Sequence, residues 1–202
     1  MWRNHGDREA MTIRQRLLAI LITGIGGTAA AAASFAMAVY DAANPEGVTV
    51  VAASEPVDTG RWIVTVREAR AGPIPPTGIE PPEPKTFVMV EFDADNRSAE
   101  TNNVLTRLLA IDPPVPNLPD PIVYLARDGW VAGGINPGMP ERMIAAWEWP
   151  PALPPPRTLR LLIGSQIYKR RDNLYGASGW FDLDPVAAVE LSVSPAAAEA
   201  TQ

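Results

Sequence analysis

Few groups of side chains in this chain have the types and spacing that catalysis requires. Asp58-Thr59-Gly60 matches the signature of aspartic proteases, which need two carboxylates that share one proton. The chain has no second Asp-Thr-Gly, and Arg61 follows where that family has a small residue. The same three residues are ordinary turn composition before a strand. A hydrolase that uses paired carboxylates is therefore the least favoured of three functions considered below.

A second grouping, Asp93-Ala94-Asp95-Asn96, brings carboxylates close enough in sequence to suggest a calcium loop. The EF-type pattern then requires an oxygen ligand and a glycine at the next two positions, where this chain has Arg97 and Ser98. We therefore predict a solvated turn at 93–96 and no metal site. A Ser–Lys nucleophile is also unsupported, because neither Lys85 nor Lys169 has a Ser three residues before it.

The amino-acid counts exclude whole classes of mechanism. The 202 residues include no Cys and a single histidine, His5, at the N-terminal end. Thiolate metal sites, Cys nucleophiles and His-dependent triads or zinc centres are thereby excluded from the body of the chain. A net charge of −6 disfavours a nucleic-acid binder that neutralises phosphates. We expect a protein that is not an enzyme, uses no cofactor and binds no nucleic acid.

The remaining candidate residues have side chains that suit the binding of a partner. Lys169-Arg170-Arg171 is the only cationic cluster of the body and fits either contact with anionic lipid headgroups or wall polymers, or a solvated loop. Trp130 follows Asp128-Gly129 at a predicted turn and is expected to be exposed. Trp147 and Trp149 alternate along one predicted strand, where core packing is favoured over an exposed platform. These six residues form the candidate interaction surface: Trp130, Trp147, Trp149, Lys169, Arg170 and Arg171.

The N-terminal part of the chain predicts a membrane anchor. Residues 17–40 are a run of 24 without a charge, and a helix spans the hydrocarbon core with about 20 apolar residues. Arginines dominate the charges of residues 1–16, which predicts a cytoplasmic tail and an extracytoplasmic body. Ala36-Met37-Ala38 leaves open a signal peptide cleaved after Ala38, but the run is longer than a typical signal and favours an uncleaved anchor.

From residue 41 the sequence changes to short apolar runs separated by Pro and Gly. Alternation with period two, as at Val88, Val90 and Phe92, predicts half-buried strands. A helix is the alternative at 141–149, and Leu159, Leu161, Ile163 and Ile167 are expected to share one face. The predicted strands are 48–53, 61–69, 86–93, 104–111, 121–126, 141–149, 158–168 and 189–193. The sequence thus predicts an all-β, antiparallel, immunoglobulin-like sandwich over 41–195 and a disordered tail at 196–202.

An Arg-bearing tail, one membrane helix and a Pro-rich β domain follow one another in this chain. The domain contains TFVMVEFDADNRS at 86–98 and INPGMPERMIAAWEWP at 135–150. In this order the chain resembles the membrane-anchored extracytoplasmic immunoglobulin-like proteins of unknown function found in actinobacteria. The resemblance implies a sandwich with a non-catalytic role and brings no site residues.

Together these features predict a single-pass membrane protein whose extracytoplasmic domain binds other proteins, as an accessory subunit of an envelope complex or exporter. The expected partners are the bilayer and an envelope or membrane protein. The alternative is a carbohydrate-binding module that binds wall polysaccharide through exposed Trp side chains.

Overall fold

The computed structural model describes residues 47–172 and 176–196, and also residues 31, 33–37 and 39, which are helical. The chain divides into two compact units, Met1–Gly47 and Val48–Gln202. Over the described ranges, no helix is both long enough and apolar enough to cross a membrane. The predicted tail at 1–16, most of the predicted transmembrane segment 17–40 and residues 197–202 lie outside the described residues, so those assignments stay predictions.

The second unit is built from β-strands, which confirms the all-β class. Proline and glycine runs separate the strands because proline lacks the amide hydrogen that a sheet interior requires. The strands are β1 (Val50–Val51), β2 (Pro56–Asp58), β3 (Trp62–Gly72), β4 (Thr86–Asn96), β5 (Leu109–Asp112), β6 (Ile122–Leu125), β7 (Glu141–Trp149), β8 (Thr158–Lys169) and β9 (Gly179–Pro195).

All these strands join one sheet in the order β5-β8-β9-β3-β4-β7-β6, with β1 paired to β9 and β2 to β3. Most neighbours are antiparallel, but β9 runs parallel to β1 and, through Val193–Pro195, to β3. The prediction of a purely antiparallel arrangement is therefore wrong, and the sheet is mixed. The cause is the length of β9, whose last residues extend beyond Thr158 at the start of β8 and pair with β3 instead.

The sheet curls around a single main core. That core takes most of its buried strand residues from β3, β4 and β7 and the others from β5, β8 and β9. Val88, Val90 and Phe92 are buried together as the alternation predicts, and Glu141–Trp149 is a strand, so the helical alternative there is wrong. Burial of apolar area on this scale stabilises a fold by roughly 25 cal/mol per Å².

Strand boundaries differ from the prediction where tertiary pairing overrides local pattern. β2 was not predicted, because three residues are too few to show a repeating pattern and they are strand through their pairing with β3. The run 104–111 is strand only from Leu109, and β1 covers only two of the six residues predicted at 48–53. β9 begins ten residues earlier than predicted, at Gly179, because Gly179–Leu183 also pair with β8, beyond the unpaired residues 184–186.

Candidate interaction surface

The far end of the β8–β9 pair forms a hairpin that extends past a break in the ladder. We call residues 165–169 of β8 and 179–183 of β9 the distal hairpin. Ile163 pairs with Ala187, but Ser165 pairs with Leu183, so Gly164 lies opposite three residues of β9. Such a bulge re-aims the side chains that follow it. The distal hairpin therefore bends away from the direction of the first half of the ladder.

The bulge exposes apolar side chains that the alternation assigned to the core. Leu159, Leu161 and Ile163 are buried as predicted. Ile167, predicted on their face, is 44% exposed, which corrects that assignment. Ile167 pairs with Phe181 on the outer side of the hairpin, two positions from the exposed Leu183. This outer side is consequently an apolar surface that faces solvent.

The inner side of the distal hairpin is held by a buried arginine. The guanidinium carbon of Arg61 lies 5.1 Å from the centroid of the Trp180 ring, and Trp180 in turn packs against Tyr168 with the ring centroids 5.5 Å apart. Arg61 is more than nine-tenths buried, and its Nε donates no hydrogen bond. Burial lowers the pKa of Arg61, and the charge of Glu100 opposes that shift. The cation–π contact therefore links the β2–β3 turn to the hairpin.

The predicted cationic cluster lies at the end of this hairpin, and we call Lys169, Arg170 and Arg171 the basic tip. All three residues are exposed. The ammonium of Lys169 lies 4.9 Å from the centroid of the Phe181 ring. None of the ion pairs found within the described ranges involves the basic tip, whereas Arg67, Arg142 and Arg160 are each paired with carboxylates. The tip thus presents cations beside aromatic rings.

A groove of about 210 Å³ lies beside the bulge. Its walls are mainly apolar, and its polar rim is fixed by Asp182, which accepts hydrogen bonds from Arg107 at 2.8 Å and from Gln166 at 2.7 Å. Both hydrogen bonds lower the pKa of Asp182, and the one from Gln166 has the larger effect. An apolar floor with a few oriented polar groups is typical of recognition sites. The apolar wall includes Val104, Ala110, Leu162, Leu183 and Pro185.

The three predicted Trp positions have different environments. Trp130 is 76% exposed in the turn after β6, as the sequence predicts. Trp147 and Trp149 are buried in the main core, which confirms the favoured prediction of core packing and rules out an exposed platform made from this pair. They lie on the same face of β7 as Met143 and Ala145, which belong to the same core. The structure does not bring Trp130 to the basic tip through any hydrogen bond or ring contact of the described residues.

The two acidic motifs are structural. The carboxylate of Asp58 accepts a hydrogen bond from the Gly60 amide at 2.8 Å and closes the turn into β3. Asp93 and Asp95 lie within β4, which continues to Asn96, so the predicted solvated turn is wrong. Burial alone would raise the pKa of Asp93, but hydrogen bonds from Arg67 and Arg142 lower it. Within the described part of the chain, no three acidic or histidine side chains are grouped as for a metal ion.

Sequence reasoning missed the residues that shape this surface. Arg61 was noted only as a departure from the protease motif, and Trp180 and Asp182 lie in a stretch that was not assigned to a strand. The alternation of Trp180, Asp182 and Asp184 with Phe181 and Leu183 was a strand signal. Pro185 masked that signal, because proline within a run argues against a central strand.

Comparison of the chain with models of known protein families, with curated proteins and with solved structures found no match. The resemblance to anchored actinobacterial proteins therefore stays a prediction. Inferences about function accordingly rest on the residues and the geometry described above.

Proposed function

We propose that this chain is a single-pass membrane protein whose extracytoplasmic domain binds an envelope or membrane protein without catalysing a reaction. The anchor is the uncharged run 17–40, and the preceding arginines orient it with the N-terminus in the cytoplasm. In this proposal the domain acts as an accessory subunit of an envelope complex or exporter. Its curled sheet is an immunoglobulin-like sandwich, with β5, β8, β9 and β1 on one side of the core.

The observation that carries the proposal is the groove beside the bulge. Leu183 is 51% exposed at its edge, and the Arg107–Asp182 ion pair orients polar groups at its rim. Exposed apolar side chains around a few fixed polar groups are typical of the centre of a protein interface. A β domain of this kind supports recognition through its loops and edges.

The test is purification of the tagged full-length chain from its own membranes in mild detergent, with identification of bound proteins by mass spectrometry. We expect one stoichiometric membrane partner, lost in Leu183→Asp and retained in Ile79→Asp. Ile79 is a matched control because it is also exposed and lies in the β3–β4 loop, away from the groove. Recovery of the chain alone, or equal loss in both variants, would contradict the proposal.

A second function is supported by one observation, the exposure of the Trp130 ring. Exposed aromatic rings stack on sugars, so the alternative is a module that binds wall polysaccharide. Binding would quench Trp fluorescence in the full-length protein and would be lost in Trp130→Ala. Val131→Ala, at the exposed neighbouring position, is the control that should keep the binding.

A further inference from the structure

We propose that the basic tip and its aromatic neighbours contact the anionic lipid surface of the membrane that anchors the chain. The inference rests on the proposed anchor and adds a second contact with the bilayer, made by the folded domain. Its consequence is a fixed orientation, in which the groove beside the bulge is held close to the membrane surface.

The place where the chain enters the domain supports this contact. β1 runs parallel to β9, with Val50 opposite Ala188. The Thr49 carbonyl accepts a hydrogen bond from the Ala188 amide. Val48 and Thr49 therefore enter β1 from the side on which β9 begins, which is the side of the distal hairpin. The start of the domain thus faces the same end as the basic tip.

The length of the linker between the predicted anchor and the domain also permits this contact. Residues 41–46 separate the predicted anchor from the first described residue of the domain, and six residues span at most about 20–22 Å when fully extended. β8 continues from Ile163, opposite Ala187, to Lys169 at the end of the distal hairpin. That distance is also about 20 Å at the rise of an antiparallel strand. The two lengths are similar, so a linker of this length permits the proposed contact.

The side chains of the basic tip and its aromatic neighbours are chemically complementary to an anionic lipid surface. The whole chain has a net charge of −6, yet the tip places Lys169, Arg170 and Arg171 together and outside the ion pairs of the described residues. Tyr168, Trp180 and Phe181 lie just behind these cations in the hairpin. Aromatic rings with a polar group favour the interface between water and hydrocarbon. Each basic residue near an anionic surface strengthens association about fivefold.

The test uses the full-length chain, whose lack of Cys allows a single label to be placed. Ile167→Cys reports on the distal hairpin, and Leu153→Cys reports on the turn at the other end of β8. The two side chains are equally exposed, 44% for Ile167 and 43% for Leu153. Each labelled protein is reconstituted in vesicles of phosphatidylcholine, with and without phosphatidylglycerol, and quenched by spin-labelled lipid.

We expect lipid quenching at position 167 to exceed that at 153 several-fold in anionic vesicles and to fall in neutral ones. Replacement of Lys169, Arg170 and Arg171 by Gln should reduce quenching at 167 to the value at 153, while the emission of the buried Trp147 and Trp149 shows that the fold is retained. Equal quenching at both positions, or no dependence on lipid charge, overturns the inference.

The failure of the inference is distinguishable from the failure of the proposed function. Alkaline extraction of the vesicles tests the anchor, and release of the chain would contradict both proposals. Retention of the chain without selective quenching at position 167 contradicts the tip contact alone. Capture of the protein partner in detergent should be unaffected by the Gln substitutions, because those residues do not line the groove.

Discussion

The two halves of the β8–β9 ladder have similar apolar alternation but different environments. Before the bulge, Leu161 pairs with Val189 and both are buried in the main core. After it, Ile167 pairs with Phe181 and the apolar side chains face solvent. The comparison shows that alternation identifies a strand with an apolar face, whereas burial depends on what the rest of the fold places opposite that face.

The bulge at Gly164 is the cause of the difference. Its amide donates a hydrogen bond to the Leu108 carbonyl at 3.0 Å, which brings the backbone before β5 against β8. On the other strand, Asp184 accepts a hydrogen bond from the Ser165 hydroxyl at 2.8 Å. The paired positions advance by two residues on β8 and by four on β9, so alternation is kept on both strands, and the bulge acts by bending the ladder so that Ile167 no longer packs on the core.

Truncation of one leucine in each half of the ladder should give the largest difference in stability between the halves. Leu161→Ala removes a fully buried side chain and should lower the free energy of unfolding by about 2–5 kcal/mol. Leu183→Ala, at the exposed position, should change it by less than about 0.5 kcal/mol. Urea unfolding of the two variants measures both values. Comparable losses would show that the distal hairpin is packed as tightly as the core.

Substitution at the bulge should have an intermediate effect. A Cβ atom on Gly164 would lie 2.7 Å from the Arg107 carbonyl oxygen, so Gly164→Ala must displace backbone. We expect a loss of about 1–3 kcal/mol in the free energy of unfolding. Gly133→Ala is the control, because a Cβ there meets nothing within 4 Å. The same stability in both variants would mean that the register does not depend on this close approach.

The smallest effect is the pH dependence of the groove rim. Hydrogen bonds from Gln166 and Arg107 lower the pKa of Asp182. A carboxyl whose pKa is lower in the folded state stabilises the fold above its unfolded value of about 3.9, and this contribution disappears as the pH falls through the folded value. This contribution to the free energy of unfolding is small because Asp182 is half exposed.

Arg107→Gln tests that contribution directly. We expect the pKa of Asp182, followed by NMR of its carboxyl carbon, to rise towards the ordinary value in this variant. Arg157→Gln is the matched control, since the Arg157 side chain forms no ion pair with another described residue. An unchanged pKa in Arg107→Gln would show that the ion pair at the groove rim does not persist in solution.

Much of the fold followed from pattern, and much of the candidate site did not. β3, β4, β7 and β8 were predicted within a few residues, because each has long alternation and defined breaks. The exposure of Trp130 and of the basic tip followed from turn composition. Arg61 and Trp180 were missed, because they meet only when the β2–β3 turn packs against the distal hairpin.

The sequence by itself determined the all-β class, the main strands and the side chains available for chemistry, because local propensity and charge are properties of short segments. Only the tertiary structure decided that β9 runs parallel to β3 and that Ile167 is exposed. These outcomes depend on strand partners far apart in sequence and on one bulge that changes the register. Non-local pairing, which no local pattern encodes, therefore decides which apolar residues form the core and which form the surface.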